Sequence, residues 1–273
     1  MMLLSVSNLE RAVAEGLFKE SAITLAARAN DTTDIWMGVR GGGYTRHPPR
    51  PFRTPAVEHI LSGSLDPASS RQLTDLALYS VTFVNDNHRD FATLAAYREF
   101  RLEAERRGLR YFLEVFNPDV GFDETDRADV GRYANDCIVS AHADVAEAGR
   151  PQFLKVAFNG PAVLEELVSY DSRLIVGVLG GNAGAARDAM ELLRAAQRSG
   201  ARLALFGRKI RLAESPLSII ELMRRVLDEE VSPTEAVKVY HDRLKKAEIQ
   251  PVPPFEKDVE ATDSVLKACA SAA

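Results

Sequence analysis

The sequence predicts an α/β fold of the (β/α)8, or TIM, barrel type with irregular N-terminal units, and three observations support this prediction. Short apolar runs rich in β-branched and aromatic residues alternate with segments of helical periodicity between residues 110 and 211. These runs are almost continuously apolar, as strands covered on both faces of a parallel sheet are. The chain has 273 residues, the size of one barrel domain. We therefore expect a barrel domain over residues 1–250 and a C-terminal tail over residues 251–273.

The second half of the chain shows the alternation most clearly. Four strands are expected, each closed by a turn residue, at 110–118, 153–158, 174–179 and 202–206. Helical periodicity separates them at 130–145, 161–169 and 186–196. Two further helices are expected to begin at Pro216 and Pro233, because a serine that can cap the helix precedes each proline.

The first half is less regular. A helix at 7–19, an apolar run at 23–29 and a strand at 35–40 precede a clear strand at 78–84 and a helix at 89–107. Some of these early units lack room for a full helix, which is the reason for expecting irregular N-terminal units.

The composition and net charge of the chain limit the classes of function that we expect. The chain is 46% hydrophobic and 27% charged with a formal net charge of −5, which gives no general attraction to nucleic acid or to an anionic membrane. The two cysteines show no metal-ligand spacing. The N-terminus resembles no signal peptide, and no apolar run is long enough to span a membrane. We expect a cytoplasmic protein that needs no metal or cofactor, and a homo-oligomer is compatible with this interpretation.

Lys155 lies in the middle of the strand expected at 153–158. A lysine in a sheet covered on both faces loses hydration, which destabilises its charged form and favours a neutral amine. Such an amine can attack a carbonyl carbon and form an imine, or Schiff base. The alternative is a lysine that extends its amine to solvent or pairs with a carboxylate.

Glu114 holds the matching place in the strand one βα unit earlier. Neighbouring parallel strands lie about 4.8 Å apart, so two side chains at similar heights on one face can meet. Glu114 would then move protons during imine formation. A buried structural ion pair is the alternative, and the sequence leaves both open.

Glycines follow two of the expected strands and indicate a phosphate site. Backbone N–H groups of the turn Gly180-Gly181-Asn182, together with the start of the next helix, suit an anion. Gly207 and Arg208 follow the next strand and add a guanidinium, and the turns after the last two strands of such barrels commonly bind phosphate. Glycines in these turns can instead be required by packing alone.

Four further residues are candidates for the site. Asp86 and His88 follow an expected strand and are candidates for acid–base catalysis, although Asp86 can equally cap the helix that follows. Arg40 and Asn117 lie at the C-terminal ends of expected strands and are candidates for phosphate or substrate binding. The loop over residues 41–55, rich in Gly, Pro and Arg, is either a lid over an anionic substrate or a surface loop.

A nucleotide-binding alternative must be weighed as well. A strand, a glycine turn, a helix and a strand followed by Arg208 and Lys209 also occur in NADP-binding folds. The glycines do not match the G-x-G-x-x-G pattern, and little of the later sequence reads as a further strand. An NADP-dependent reductase is therefore the weaker alternative.

Four short motifs, in this order and spacing over residues 76 to 230, together resemble the class I aldolase superfamily: Phe-Leu-Glu-Val, Phe-Leu-Lys-Val, Val-Leu-Gly-Gly and Phe-Gly-Arg-Lys. That superfamily includes deoxyribose-phosphate, tagatose-bisphosphate and archaeal-type fructose-bisphosphate aldolases, and the tagatose-bisphosphate branch is the most similar. The resemblance implies that Lys155 forms the Schiff base and that Glu114 assists proton transfer. It also implies that Gly181 and Arg208 bind phosphate.

Two features depart from the superfamily pattern. Gly38 and Val39 stand where an acidic residue is expected at the end of the first strand, and the strand at 78–84 lacks the further lysine. We expect a lyase of carbohydrate metabolism that cleaves or forms a C–C bond in a small phosphorylated sugar or related keto compound. The departures keep open a non-catalytic barrel that binds a sugar phosphate as a sensor or structural subunit.

Overall fold

The computed structural model of the chain describes residues 1–30, 48–66, 68–118, 127–181 and 184–271. The chain divides into two compact units, Met1–Leu154 and Lys155–Ala273. The expectation of one domain over residues 1–250 with a tail over 251–273 stays a prediction. The strand expected at 35–40, with Gly38, Val39 and Arg40, lies outside the described residues.

Seven strands occur in the described ranges, and their order in the sheet is the order of the chain. They are β1 (Met2–Leu4), β2 (Leu25–Arg28), β3 (Leu76–Thr82), β4 (Arg110–Phe116), β5 (Leu154–Val156), β6 (Val176–Leu179) and β7 (Leu203–Leu205). Every pair with a defined register is parallel, namely β1 with β2, β2 with β3, β3 with β4, and β6 with β7. Sequential parallel strands separated by helices are the topology expected from the sequence.

Helices follow most of the strands. In the first unit they are α1 (Val6–Ala14), α2 (Val57–Ser62), α3 (Asn87–Arg107) and α4 (Arg127–His142). In the second they are α5 (Pro161–Tyr170), α6 (Ala186–Arg198), α7 (Arg208–Arg211), α8 (Pro216–Leu227), α9 (Pro233–Lys246), α10 (Phe255–Asp258) and α11 (Ser264–Ser271). Over the described part of the chain, no helix combines the length and the apolar character needed to cross a membrane.

The sheet of the first unit has two distinct faces. Because side chains alternate along a strand, every second residue of β3 and β4 points to the same side. Tyr79 of β3 stacks on Phe100 of α3 with ring centroids 4.4 Å apart, and Tyr111 of β4 meets the same ring edge-on. Helix α3 therefore covers this face. The opposite face carries the other set, which includes Ser80 and Glu114, paired in register.

A buried polar network joins α3, β4 and α4 on the helix-covered face. The Tyr97 hydroxyl lies 2.8 Å from the Tyr111 hydroxyl and 2.9 Å from His142 Nε2. Tyr111 donates to the carbonyl of Gly149, and His142 Nδ1 lies 2.7 Å from the carbonyl of Ile138. Burial lowers the pKa of His142, so its neutral form is favoured inside the unit. The network thus fixes the two helices against the strand without a buried charge.

The core of the second unit lies between α6, α8 and α9, where Met190, Leu222 and Val237 are fully buried. The C-terminal segment is tied to this core. Asp258 of α10 accepts the Ala186 amide at 2.6 Å, and His241 Nε2 lies 2.9 Å from the other Asp258 oxygen. The segment over residues 255–271, which belongs to the expected C-terminal tail, therefore packs against α6.

Three differences from the sequence prediction have clear causes. The helix expected at 7–19 ends at Ala14, because the chain turns at Gly16 with a φ of 72°. Strand β1 was not predicted, since three residues are too few to show a period. The four-residue helix α7 was missed for the same reason.

Candidate active site

Lys155 is the central residue of β5. Its neighbours Leu154 and Val156 are 0% and 6% exposed, whereas Lys155 itself is half-buried. Since side chains alternate along a strand, the two apolar neighbours share one face and Lys155 points to the other. The strand therefore fixes the backbone of a half-buried lysine, which suits a nucleophile and also suits a structural cation.

Glu114 is a buried carboxylate, only 2% exposed, in the middle of β4. Its Oε2 accepts a 3.0 Å hydrogen bond from the hydroxyl of Ser80. Asn30 lies two residues beyond β2 and forms two hydrogen bonds with the backbone of Ser80. Its Nδ2 donates to the Ser80 carbonyl and its Oδ1 accepts the Ser80 amide, both at 2.7 Å. The sequence analysis missed Asn30 and Ser80, although a buried serine within the apolar run of β3 is a usable signal.

The turn after β3 holds Asp86 and His88. Asp86 is the N-cap of α3, and its Oδ1 accepts the amide of Arg89 at 2.9 Å. This is the capping role considered as the alternative for Asp86. His88 lies exposed in the first turn of α3. The catalytic assignments of Asp86 and His88 stay predictions, as does substrate binding by Asn117, which is half-buried just after β4.

Asp90 organises the same turn and was not predicted. Its two carboxylate oxygens accept the amides of Val84 and Asp86 at 2.9 and 3.1 Å. The Tyr133 hydroxyl donates to Asp90 at 3.0 Å and accepts the amide of Asn85 at 2.7 Å. Burial raises the pKa of Tyr133, so its hydroxyl keeps its proton and remains a donor. The carboxylate and the phenol together fix the turn.

The two glycine turns of the second unit meet through their cations. Arg208 Nη2 donates to the carbonyl of Gly181 at 3.2 Å, and Lys209 Nζ donates to the carbonyl of Gly184 at 2.9 Å. The sequence-predicted residues Gly180, Gly181, Gly207 and Arg208 therefore lie in adjacent turns, while Asn182 lies outside the described residues. Two positive charges beside small-residue turns suit an anionic group such as a phosphate.

Lys209 was noticed in the sequence only as part of a nucleotide-binding alternative. Burial lowers the pKa of its amine, and the carboxylates of Asp258, Glu214 and Asp188 oppose this effect. A half-buried lysine with a lowered pKa is also a candidate amine nucleophile. Lys209 is therefore the rival that any experiment on Lys155 must exclude.

Gly180 is required by close packing against Phe206. A Cβ placed at Gly180 would lie 2.4 Å from Cδ1 of the Phe206 ring. We expect Gly180→Ala to lower the free energy of unfolding by about 1–3 kcal/mol, because the ring must leave its position. Chemical denaturation followed by circular dichroism measures this loss.

Gly207→Ala provides the matched control for Gly180→Ala. A Cβ at Gly207 meets no atom within 4 Å, and its φ of −116° is open to any residue. This variant should unfold at nearly the same denaturant concentration as the wild type. Equal losses in the two variants would contradict a packing role specific to Gly180.

One comparison finds a similar fold among solved structures. The fructose-bisphosphate aldolase from Slackia heliotrinireducens DSM 20476 superposes with a TM-score of 0.60 at 16% sequence identity. The match covers 89% of this chain and 72% of that chain. No protein-family model and no curated protein matches the sequence. At this identity the likeness shows the fold alone, and the chain has the α/β, TIM-barrel-like fold expected from its sequence.

Proposed function

We propose that the protein is a class I aldolase-like lyase that cleaves or forms a C–C bond in a phosphorylated sugar or related keto compound, with Lys155 as the imine-forming residue. The observation that carries this proposal is the position of Lys155 in β5, between two buried apolar residues, in a fold shared with a fructose-bisphosphate aldolase. A second support is Glu114, a buried carboxylate whose orientation Ser80 fixes.

The proposed reaction uses the amine of Lys155 as its nucleophile. Lys155 Nζ attacks the carbonyl carbon of the substrate, and the carbonyl oxygen leaves as water, which gives a protonated imine. Removal of the proton from the β-hydroxyl then breaks the C–C bond. An aldehyde departs, and the electron pair moves into the imine to form an enamine. Protonation of carbon and hydrolysis release the ketone product and regenerate the amine.

Glu114 is the carboxylate that we assign to proton transfer. A group that transfers protons must be held in one orientation, and the hydrogen bond from Ser80 to Oε2 supports this condition. We assign the proton transfer to the Glu114 carboxylate, which Ser80 orients. The phosphate of the substrate would bind at the glycine turns, with Arg208 as the cation and backbone amides near Gly181 as donors.

Reductive trapping tests this function directly. The full-length protein is incubated with sodium borohydride and, in separate reactions, fructose 1,6-bisphosphate, tagatose 1,6-bisphosphate and dihydroxyacetone phosphate. An imine is reduced to a stable secondary amine, so we expect an adduct at Lys155 and blocked tryptic cleavage after that residue. Peptide mass spectrometry reads both signals.

Lys209 supplies the internal control for trapping. An adduct at Lys209 that persists in Lys155→Met would contradict the assignment, because it would move the nucleophile to the glycine turns. Loss of the adduct in Lys155→Met, with the adduct retained in Lys209→Met, supports it. No adduct with any carbonyl compound that the protein converts would count against an imine mechanism.

A non-catalytic sugar-phosphate-binding barrel is the second candidate function. The observation that favours it is that β2 contains no acidic residue. Arg28 ends this strand, and Asn30 follows it. This candidate predicts that Lys155→Met binds dihydroxyacetone phosphate as tightly as the wild type and that the wild type turns over none of the three compounds. Calorimetric titration of both proteins separates the two functions.

A further inference from the structure

Arg28 lies on the same face of the first unit's sheet as Glu114. It pairs in register with Leu78, and Ser80, two residues further along β3, pairs with Glu114. Residues two apart on a strand share a face, so Arg28, Leu78, Ser80 and Glu114 all point away from α3. Asn30 joins this set through its two hydrogen bonds to Ser80. The face therefore combines a guanidinium, an amide, a hydroxyl and a carboxylate.

The guanidinium of Arg28 has an unsatisfied nitrogen. Its Nη1 is buried from solvent, and no acceptor of the described residues lies within hydrogen-bond distance of it. Arg53 shows what a structural arginine of the same unit looks like. Its Nη2 pairs with Glu103 Oε2 at 2.5 Å, and its guanidinium covers the Phe100 ring at 5.6 Å from the centroid. Arg53 Nη1 is likewise buried without an acceptor, but Arg53 has an ion pair and an aromatic contact, whereas the side chain of Arg28 has neither among the described residues.

A buried hydrogen-bond donor without an acceptor destabilises the folded state, and a charged donor does so more strongly. Such a group persists in a folded protein when it serves a ligand that brings the missing acceptor. We propose that Arg28 binds a carboxylate group of a ligand on this face of the sheet, with the amide of Asn30 beside it. The inference is independent of the imine chemistry, because it rests on residues of the first unit alone.

The charge balance favours a carboxylate over a phosphate. Arg28 supplies one positive charge, and Glu114, 2% exposed, already places a carboxylate on the same face. Because the Glu114 carboxylate is already there, a monoanion adds one negative charge to this poorly hydrated face and a phosphate dianion adds two, so the monoanion costs less. The planar guanidinium also matches a carboxylate with two parallel N–H donors.

Titration of the full-length protein with propionate tests the inference. Propionate carries a carboxylate and no carbonyl that could form an imine, and inorganic phosphate is the comparison anion. Binding is followed by NMR of the arginine side-chain N–H groups. We expect Arg28→Gln to raise the Kd of propionate by about tenfold or more, because hydrogen bonds to a charged group are lost. Arg28→Lys should raise the Kd of propionate less, because lysine keeps the positive charge but lacks the two parallel N–H donors.

Arg110→Gln is the matched control, because Arg110 forms an exposed ion pair with Asp75 away from Arg28. This variant should leave the Kd of propionate unchanged. Ligand-free Arg28→Gln should melt at the same temperature as the wild type or higher, since it removes an uncompensated buried charge. An unchanged Kd in Arg28→Gln would overturn the inference. Tighter, Arg28-dependent binding of phosphate than of propionate would overturn the choice of a carboxylate.

Discussion

Turnover of the ketose phosphate that gives the borohydride adduct should fall by about a thousandfold or more when Lys155 is replaced by methionine. Methionine has a similar length and no amine, so the variant keeps the packing of β5 but cannot form the imine. Without an imine, the electron pair of the breaking C–C bond has no cation to move into. The steady-state kcat of the purified variant, compared with that of the wild type, measures the loss.

Two further lysine variants complete this test. Lys155→Arg keeps a positive charge in β5 without a nucleophilic amine, so it should be as inactive as Lys155→Met if the imine is essential. Lys238→Met removes an exposed lysine of α9 and should leave kcat unchanged. Retention of more than about a tenth of the activity in Lys155→Met would contradict covalent catalysis by this residue.

Replacing Glu191 with alanine should cost about 3–5 kcal/mol of unfolding free energy, because it leaves two arginines without their counter-charge. Glu191 is 0% exposed. Its Oε2 accepts a hydrogen bond from Arg187 at 3.1 Å, and its Oε1 pairs with Arg194. The side chains of Arg187 and Arg194 are 15% and 21% exposed. A typical domain is stable by about 5–15 kcal/mol, so this single loss is a large fraction of the total. Denaturant titration followed by circular dichroism measures it.

The matched control is an exposed pair of the same chemistry. Glu221 binds Arg243 through two hydrogen bonds of 2.6 and 2.8 Å on the surface of the second unit. Water replaces the lost partner there, so Glu221→Ala should unfold at nearly the wild-type denaturant concentration. If the Glu191 and Glu221 variants lose similar free energies of unfolding, burial does not increase the contribution of Glu191 to stability.

The strongly periodic parts of the fold were predictable from the sequence. Helix α6 has its apolar residues on one face and ends before a glycine, and the serine–proline starts of α8 and α9 lie where the sequence indicates. Strands β3 to β7 occur near their expected positions, although β5 and β7 are only three residues long. These elements are specified locally by periodicity, and α9 also by its cap, because Ser232 accepts the Glu235 amide, whereas Ser215 makes no such bond to α8.

The polar face of the first unit could not be predicted in the same way. The place of Asn30 beside Ser80 depends on the register between β2 and β3, which joins residues 50 apart in the chain. A sequence read one segment at a time contains no information on that register. Arg28 was missed for a related reason, since only the structure shows that one of its nitrogens is buried without an acceptor. The assignments of Lys155, Glu114 and Arg208 rest on order and spacing, and they stay predictions.

The contact between Asp258 and α6 has a consequence for the order of events during synthesis on the ribosome. The N-cap residue of α6 is Ala185, which offers no side-chain acceptor, and the carboxylate that receives the Ala186 amide belongs to Asp258, 72 residues later. Thr262 likewise donates its amide to Asp188 of the same helix at 2.7 Å. Helix α6 therefore emerges from the exit tunnel before the acceptor of its Ala186 amide has been released. The second unit can form these contacts only after residues 258 to 262 have been released.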